Sequence, residues 1–348
     1  MGKEGNNLLQ ILKDVVAVYS SQPSAPLSLF ARAKFFNERE YQQLDADRMA
    51  YRIPAMRESV HLLPAETAHL VSTAVLPLPD DPYWEKRYSH QQRKIPPNEY
   101  PGWRSAVNDA LHEPRTVDEI KKMHVLPDEV VKFILNRMAF EGDVLRIGAE
   151  SLRSNIISYV AKAAWTGKAK LKADSGESLA WLAEQYLRAF GPCRVKDFQW
   201  WTGLTVKKAK TAISSCNTVE LEEGLLLLNK DMADFESHKK RAEDRIDLLP
   251  QWDCYTMGYA PDGRERFVSP DVQEKMYGKL GATRGNALGV VMINGLVHGT
   301  WSFRFKAGSM INKLGMFVHP TNKVLEIIEE KIHEVAVLLK AKRVTLEQ

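Results

Sequence analysis

Residues 51–64 read as a strand with a chemical side. If 55–63 are extended, the period of two puts Arg57, Ser59 and His61 on one face and Met56, Val60 and Leu62 on the other, with Glu58 the polar exception. Upstream, Leu8, Ile11, Leu12, Val15 and Val16 recur at helical spacing over 7–19, and Pro23 and Pro26 precede a second apolar run over 27–30. The pattern predicts two helices joined by Tyr19-Ser20-Ser21-Gln22-Pro23. Asn37 followed by Glu40 has the spacing of a helix start, and 65–75 reads as another helix after Pro64. Helix, helix, helix, strand is the order of a winged-helix unit, here over residues 1–76.

The order recurs. Residues 77–112 are interrupted by Pro77, Pro79, Pro82, Pro96, Pro97 and Pro101, which predicts a linker packed against the body with a helix inside 81–94. A second unit, 113–174, opens on the capping-box spacing of Thr116 and Glu119. It continues with a stripe of Val130, Val131, Ile134, Leu135 and Met138 ended by Gly142, then strands over 144–147 and 155–160 around Gly148 and Arg153. A third, 175–245, has a helix stopped by Gly191-Pro192, the run Trp200-Trp201-Thr202-Gly203-Leu204, and a helix carrying Lys207, Lys208 and Lys210. Its hairpin over 219–224 is acidic and repels phosphate, which favours a scaffold role. From 246 to 348 the pattern turns to short strands. Asn294-Gly295 is a type I′ hairpin signal, and Trp301, Phe303 and Phe305 alternate with Ser302, Arg304 and Lys306. The expected fold is α+β: three tandem winged-helix units, then a small antiparallel β-barrel or sheet, the β-barrel being what the family resemblance below implies, and a terminal helix over 322–339.

Composition narrows the function. A chain of 348 residues is long enough for several units, and Cys193, Cys216 and Cys254 have no paired spacing for disulfides or a thiolate metal site, which fits a reducing cytoplasm. No apolar run is long enough to span a membrane, the first residues have no apolar core for export, and Asn6 stands where a myristoylation signal needs Ser or Thr. Charge is regional: between Lys275 and Lys323 there is no acid, while Lys275, Lys279, Arg284, Arg304, Lys306, Lys313 and Lys323 are positive. A phosphate backbone is the partner such a segment fits, by counterion release, and Lys168 and Lys170 near Trp165 form a second basic, aromatic stretch. The histidines lack metal-ligand spacing, and neither a Walker loop nor a Gly-x-Ser-x-Gly elbow occurs, so neither metal nor cofactor is expected.

Five stretches together are similar to a known family: Met-Arg-x-x-x-His-Leu at 56–62, Tyr-Leu-x-x-Phe-Gly-Pro at 186–192, Trp-Thr-Gly-Leu at 201–204, Leu-Leu-Pro-x-x-Asp-x-Tyr-x-x-Gly-Tyr at 248–259, and Asn-Gly-x-x-x-Gly-Thr-Trp at 294–301. In this order they resemble the bacterial winged-helix DNA-binding superfamily that includes the AlkZ-like and YcaQ-like DNA glycosylases. The resemblance implies excision of alkylated purines from duplex DNA by a monomer, with a non-catalytic lesion binder or regulator of the same architecture as the alternative. It also implies a Gln-x-Gln or Gln-x-Asp motif that positions the hydrolytic water. Here that place is 19–22, followed by an Arg that looks like Arg32. Either Ser20 and Gln22 or Tyr19 and Ser21 occupy the two motif positions, and in both cases a second Gln or carboxylate is missing. Gln22 with Ser20 is the catalytic expectation. Arg57, Ser59, His61, Lys168, Lys170, Arg304 and Lys306 are the expected DNA ligands.

Overall fold

The stretch read as one strand is a hairpin. In the computed structural model, which describes residues 7–20, 24–78, 81–89, 96, 98–148, 151–154, 156–167, 173–222, 224–239, 243–278 and 287–347, it divides into two strands. After β1 (Val18–Tyr19) come β2 (Ala50–Pro54) and β3 (Val60–Pro64), separated by a 3-10 turn at Met56–Glu58. Arg57 and Glu58 take φ of 50° and 55°, so the chain reverses where an unbroken strand was expected. The alternation therefore holds for Ser59 and His61 and fails at Arg57.

Helices Leu8–Asp14, Ala25–Phe30, Glu38–Ala46 and Ala65–Val75 surround this hairpin. The first ends early because Val16 has a φ of 68°, which turns the predicted continuation into β1. Asn37 caps the third through its side chain, accepting from the backbone of Arg39 and Glu40. The proline-rich stretch holds two helices, Pro82–Ser89 and Tyr100–Ala110, the second begun by Pro101 at its N-terminus. Trp84, Tyr88, Tyr100 and Val107 join Ile134, Leu135 and Met138 in a core of their own.

The capping box at Thr116 forms as expected and starts the helix Val117–Lys122 after β4 (Arg115–Thr116). Helix Val131–Glu141 ends on Gly142, and β5 (Val144–Ile147) and β6 (Ser158–Ala161) follow. These strands extend the first sheet. Its order is β1-β3-β2-β5-β6-β4, with Arg52 opposite Arg146 where the two halves join. Helices Ser175–Phe190, Val195–Thr202 and Val206–Ser214 precede a separate hairpin, β7 (Thr218–Glu222) and β8 (Leu225–Leu228).

The expected barrel is not closed. β9 (Ile246–Leu249), β10 (Gly289–Ile293), β11 (Leu296–Lys306), β12 (Ser309–Met316) and β13 (Arg343–Glu347) form an open sheet, ordered β13-β12-β11-β10-β9. Asn294 and Gly295 both have positive φ, so the type I′ turn forms as predicted. The last strand, which the sequence pattern missed, runs parallel to β12. Parallel pairing needs a crossover, and the helix Asn322–Leu338 supplies it. That helix buries Ile328, Ile332 and Val335 in the main core, which is continuous with the first and third segments of the chain. No helix among the described residues is long and apolar enough to cross a membrane.

Candidate active site and nucleic-acid interface

The ladder around β3 sets two chemical faces. Val18 pairs with Leu62 and Tyr19 with His61, while on the other side Arg52 pairs with Leu62 and Ile53 with His61. The Ser20 N–H donates to the Val60 carbonyl at 2.8 Å and prolongs the ladder by one residue. Alternation then puts Ser20 with Arg52 on one face, and Tyr19 with His61 on the other. Ser20 and Tyr19, the described member of each open reading of the motif, thus lie on opposite sides of one sheet.

On the Ser20 face, the Ser20 hydroxyl accepts from Arg52 Nε at 3.0 Å. The same guanidinium donates to Tyr41 Oη at 2.9 Å and forms a buried ion pair with Asp45. Burial opposes the charge on Arg52, and Tyr41 and Asp45 outweigh it, so its pKa is raised. Gly148 backs the group from the second sheet half: a Cβ there would lie 2.6 Å from Arg52 Cζ. Ser20 accepts this bond on one lone pair, and among the described residues its O–H has no acceptor.

On the opposite face, His61 is 9% exposed and its Nδ1–H donates to the Ser59 carbonyl at 2.9 Å. Burial lowers its pKa to about 4, with Arg57 acting in the same direction against the Ser59 bond, so His61 is neutral at physiological pH. The Tyr19 ring lies edge-on to His61 at 5.9 Å and tilted against Trp252 at 5.5 Å. Arg57 is directed to the Trp200 ring, 5.1 Å from its centroid, and its pKa falls to about 10 through burial and then the charge of Arg264. Gly203 makes this packing possible, since a Cβ there would stand 3.2 Å from Arg57 Cγ.

Arg32, expected beside the motif, forms a two-point pair with Asp253 at 2.8 and 2.7 Å, with the carboxylate fully buried. Of the basic positions, Arg304 bonds Glu347 at 2.7 Å and Lys306 is exposed at the end of β11. Gln22, Lys168 and Lys170 lie outside the described residues. Trp165, in the same basic stretch, stacks under Arg48 at 4.7 Å. Sequence reasoning missed Arg52, Trp200, Trp252 and Asp253. Trp200 and Asp253 stood in or beside quoted motifs, but Arg52 carried no signal, because its partners Tyr41, Asp45 and Ser20 are adjacent only in the fold.

The sequence matches the profile described as DNA glycosylase AlkZ-like over residues 12–336. The chain belongs to the AlkZ-like DNA glycosylase family. No match was found among curated proteins. Among solved structures, Streptomyces sahachiroi DNA glycosylase AlkZ superimposes with a TM-score of 0.73 at 17% identity, covering 99% of this chain and 94% of that one. At that identity the likeness concerns the fold; family membership supports a DNA-glycosylase-type function.

The five stretches that resemble this AlkZ-like family are tied to one another in the fold. Tyr186 Oη donates to the Gly258 carbonyl and Tyr259 Oη to the Phe190 carbonyl, each at 2.8 Å, so the second and fourth motifs bond reciprocally. Trp301 Nε1 donates to the Leu249 carbonyl at 2.8 Å and ties the fifth to the fourth. Gly203 under Arg57 ties the third to the first.

Proposed function

We propose that this protein is a monofunctional DNA glycosylase that hydrolyses the N-glycosidic bond of alkylated purines in duplex DNA. The observation that carries this reading, beside family membership, is the Ser20 hydroxyl held by a buried arginine, with no acceptor for its O–H among the described residues, two positions before Gln22 in the sequence. Ser20 and Gln22 orient a water toward C1′ of the sugar. As its oxygen bonds C1′ and loses a proton to solvent, the base leaves with the electron pair of the C1′–N9 bond. A purine alkylated at N7 is cationic and departs neutral, so this reaction asks little acid catalysis of the protein. Helices followed by hairpins over 1–76, 113–174 and 175–245 are the three winged-helix units of this reading, with 77–112 as the connecting segment and 246–348 as the sheet and its crossover helix. The protein acts as a monomer in the bacterial cytoplasm without cofactor. Arg304 and Lys306, with Lys168 and Lys170, take phosphates; Arg57, Ser59 and His61 line the DNA channel, His61 as an uncharged wall.

A second reading, a lesion binder or regulator without excision, is favoured by one observation. The Asp45 and Asp253 carboxylates are both committed to arginines, so neither can activate water. Incubation with N7-methylguanine duplex decides between the two. Base release that Gln22→Ala abolishes supports hydrolysis, and release no greater than that of heat-killed protein across several alkylated substrates leaves the second reading.

A further inference from the structure

A guanidinium withdrawn from water and left without an acceptor is costly for a fold to keep unless a ligand completes it. Arg57, half-buried, approaches that state. Its guanidinium faces the Trp200 ring, and among the described residues it makes neither hydrogen bond nor ion pair. Its pKa, lowered to about 10 by burial and the neighbouring charge of Arg264, still leaves it cationic at neutral pH. Tyr19 and His61 lie close enough to exchange electrostatic effects with it.

Beside this cation stand two further aromatic rings. Tyr19 and Trp252 are half-buried and 5.5 Å apart, and among the described residues no cation stacks on either. The contrast is with Trp200, Tyr259 and Tyr277, which each carry an arginine. Trp252 is held in place at a cost. Its φ of 58° is unfavourable for a bulky side chain, yet the turn is fixed by the Trp252 N–H to the Ala287 carbonyl at 3.3 Å and by the Arg32 grip on Asp253. Neutral His61, edge-on to Tyr19, steadies the second ring without adding charge.

We propose that Arg57, Tyr19 and Trp252 form a subsite for a single nucleotide extruded from the duplex, with Arg57 on its phosphate and the two rings stacked on its base. A guanidinium fork matches phosphate oxygens in pairs, and aromatic faces accept any base. The subsite deepens the DNA-binding part of the proposed function and does not depend on base release.

The test uses the full chain and two labelled duplexes, identical except that one carries an unpaired 2-aminopurine nucleotide; neither contains a lesion to excise. The wild type is expected to bind the bulged duplex about tenfold more tightly, since stacking a base on an aromatic ring is worth about 5- to 100-fold. The 2-aminopurine emission is expected to fall on binding. Trp252→Leu and Tyr19→Leu, each confirmed as folded by melting temperature, remove the preference, and Trp252→Phe retains it. Arg57→Gln weakens the bulged complex more than the paired one, and Arg57→Lys restores part of the loss. Equal affinity of the wild type for both duplexes overturns the proposal. So does a folded Trp252→Leu or Tyr19→Leu that keeps the preference, or an Arg57→Gln that weakens both complexes alike. Absence of base release from N7-methylguanine duplex, with the bulge preference intact, ends the excision reading alone.

Discussion

Arg52 bonds Ser20, Tyr41 and Asp45 at once while its flat face rests on Gly148. Removing it by Arg52→Met strands the Asp45 carboxylate, which is 8% exposed, and breaking a buried pair in this way costs about 3–5 kcal/mol. Denaturant unfolding measures that loss, and Arg52→Lys is expected to recover only part of it, because an ammonium cannot reproduce the planar fork. His61 makes a prediction of opposite character. Its ordinary pKa of 6.5 applies to the unfolded chain and the value near 4 to the folded one, so the unfolded state takes up the proton first as pH falls. The stability contribution is complete above about pH 6.5 and is lost between there and about 4, amounting to about 2 kcal/mol by pH 5. In His61→Asn that part of the pH dependence disappears; a variant whose stability follows the wild-type curve from pH 7 to 5 would show that His61 is not buried neutral.

At the scale of elements, what was legible followed local rules. The Asn37 cap, the Thr116 capping box, the Gly142 stop and the Asn294-Gly295 turn each depend on residues within a few positions of one another, and each formed. What was not legible depended on the backbone reversing or on distant partners. The turn at Arg57 and Glu58 has no Gly or Asn to announce it, and β13 pairs only because the crossover helix brings it beside β12. The site divided likewise: Ser20 and His61 could be named from sequence, but not that they face opposite sides of one sheet. Gly203→Ala tests the joint under Arg57. The φ of 78° and the approach to Arg57 Cγ predict a loss of about 1–2 kcal/mol in stability, together with a displaced Arg57 and weaker DNA binding than stability alone explains. On the last strand, Glu347→Gln releases Arg304 from its carboxylate and is expected to tighten duplex binding about two- to fivefold at low salt, with a steeper salt dependence. Unchanged affinity in that variant would remove Arg304 from the DNA interface.

Across the whole molecule, two connections cross the boundaries read from sequence. The first and second segments share one six-stranded sheet, and the first, third and C-terminal segments share one core. The site sits where these connections meet, with Arg52 reaching from the first segment onto Gly148 of the second and Arg32 onto Asp253 of the C-terminal one. Such a site is held from several directions, which suits the proposed positioning of a water against a sugar. The measurement that bears most directly on this account is single-turnover release of N7-methylguanine from duplex DNA by the wild type and by Ser20→Ala, with duplex affinity measured in parallel. Release by the wild type that slows about 10- to 100-fold in Ser20→Ala at unchanged affinity is the predicted result. No release by the wild type, or equal rates for the two proteins, would contradict it.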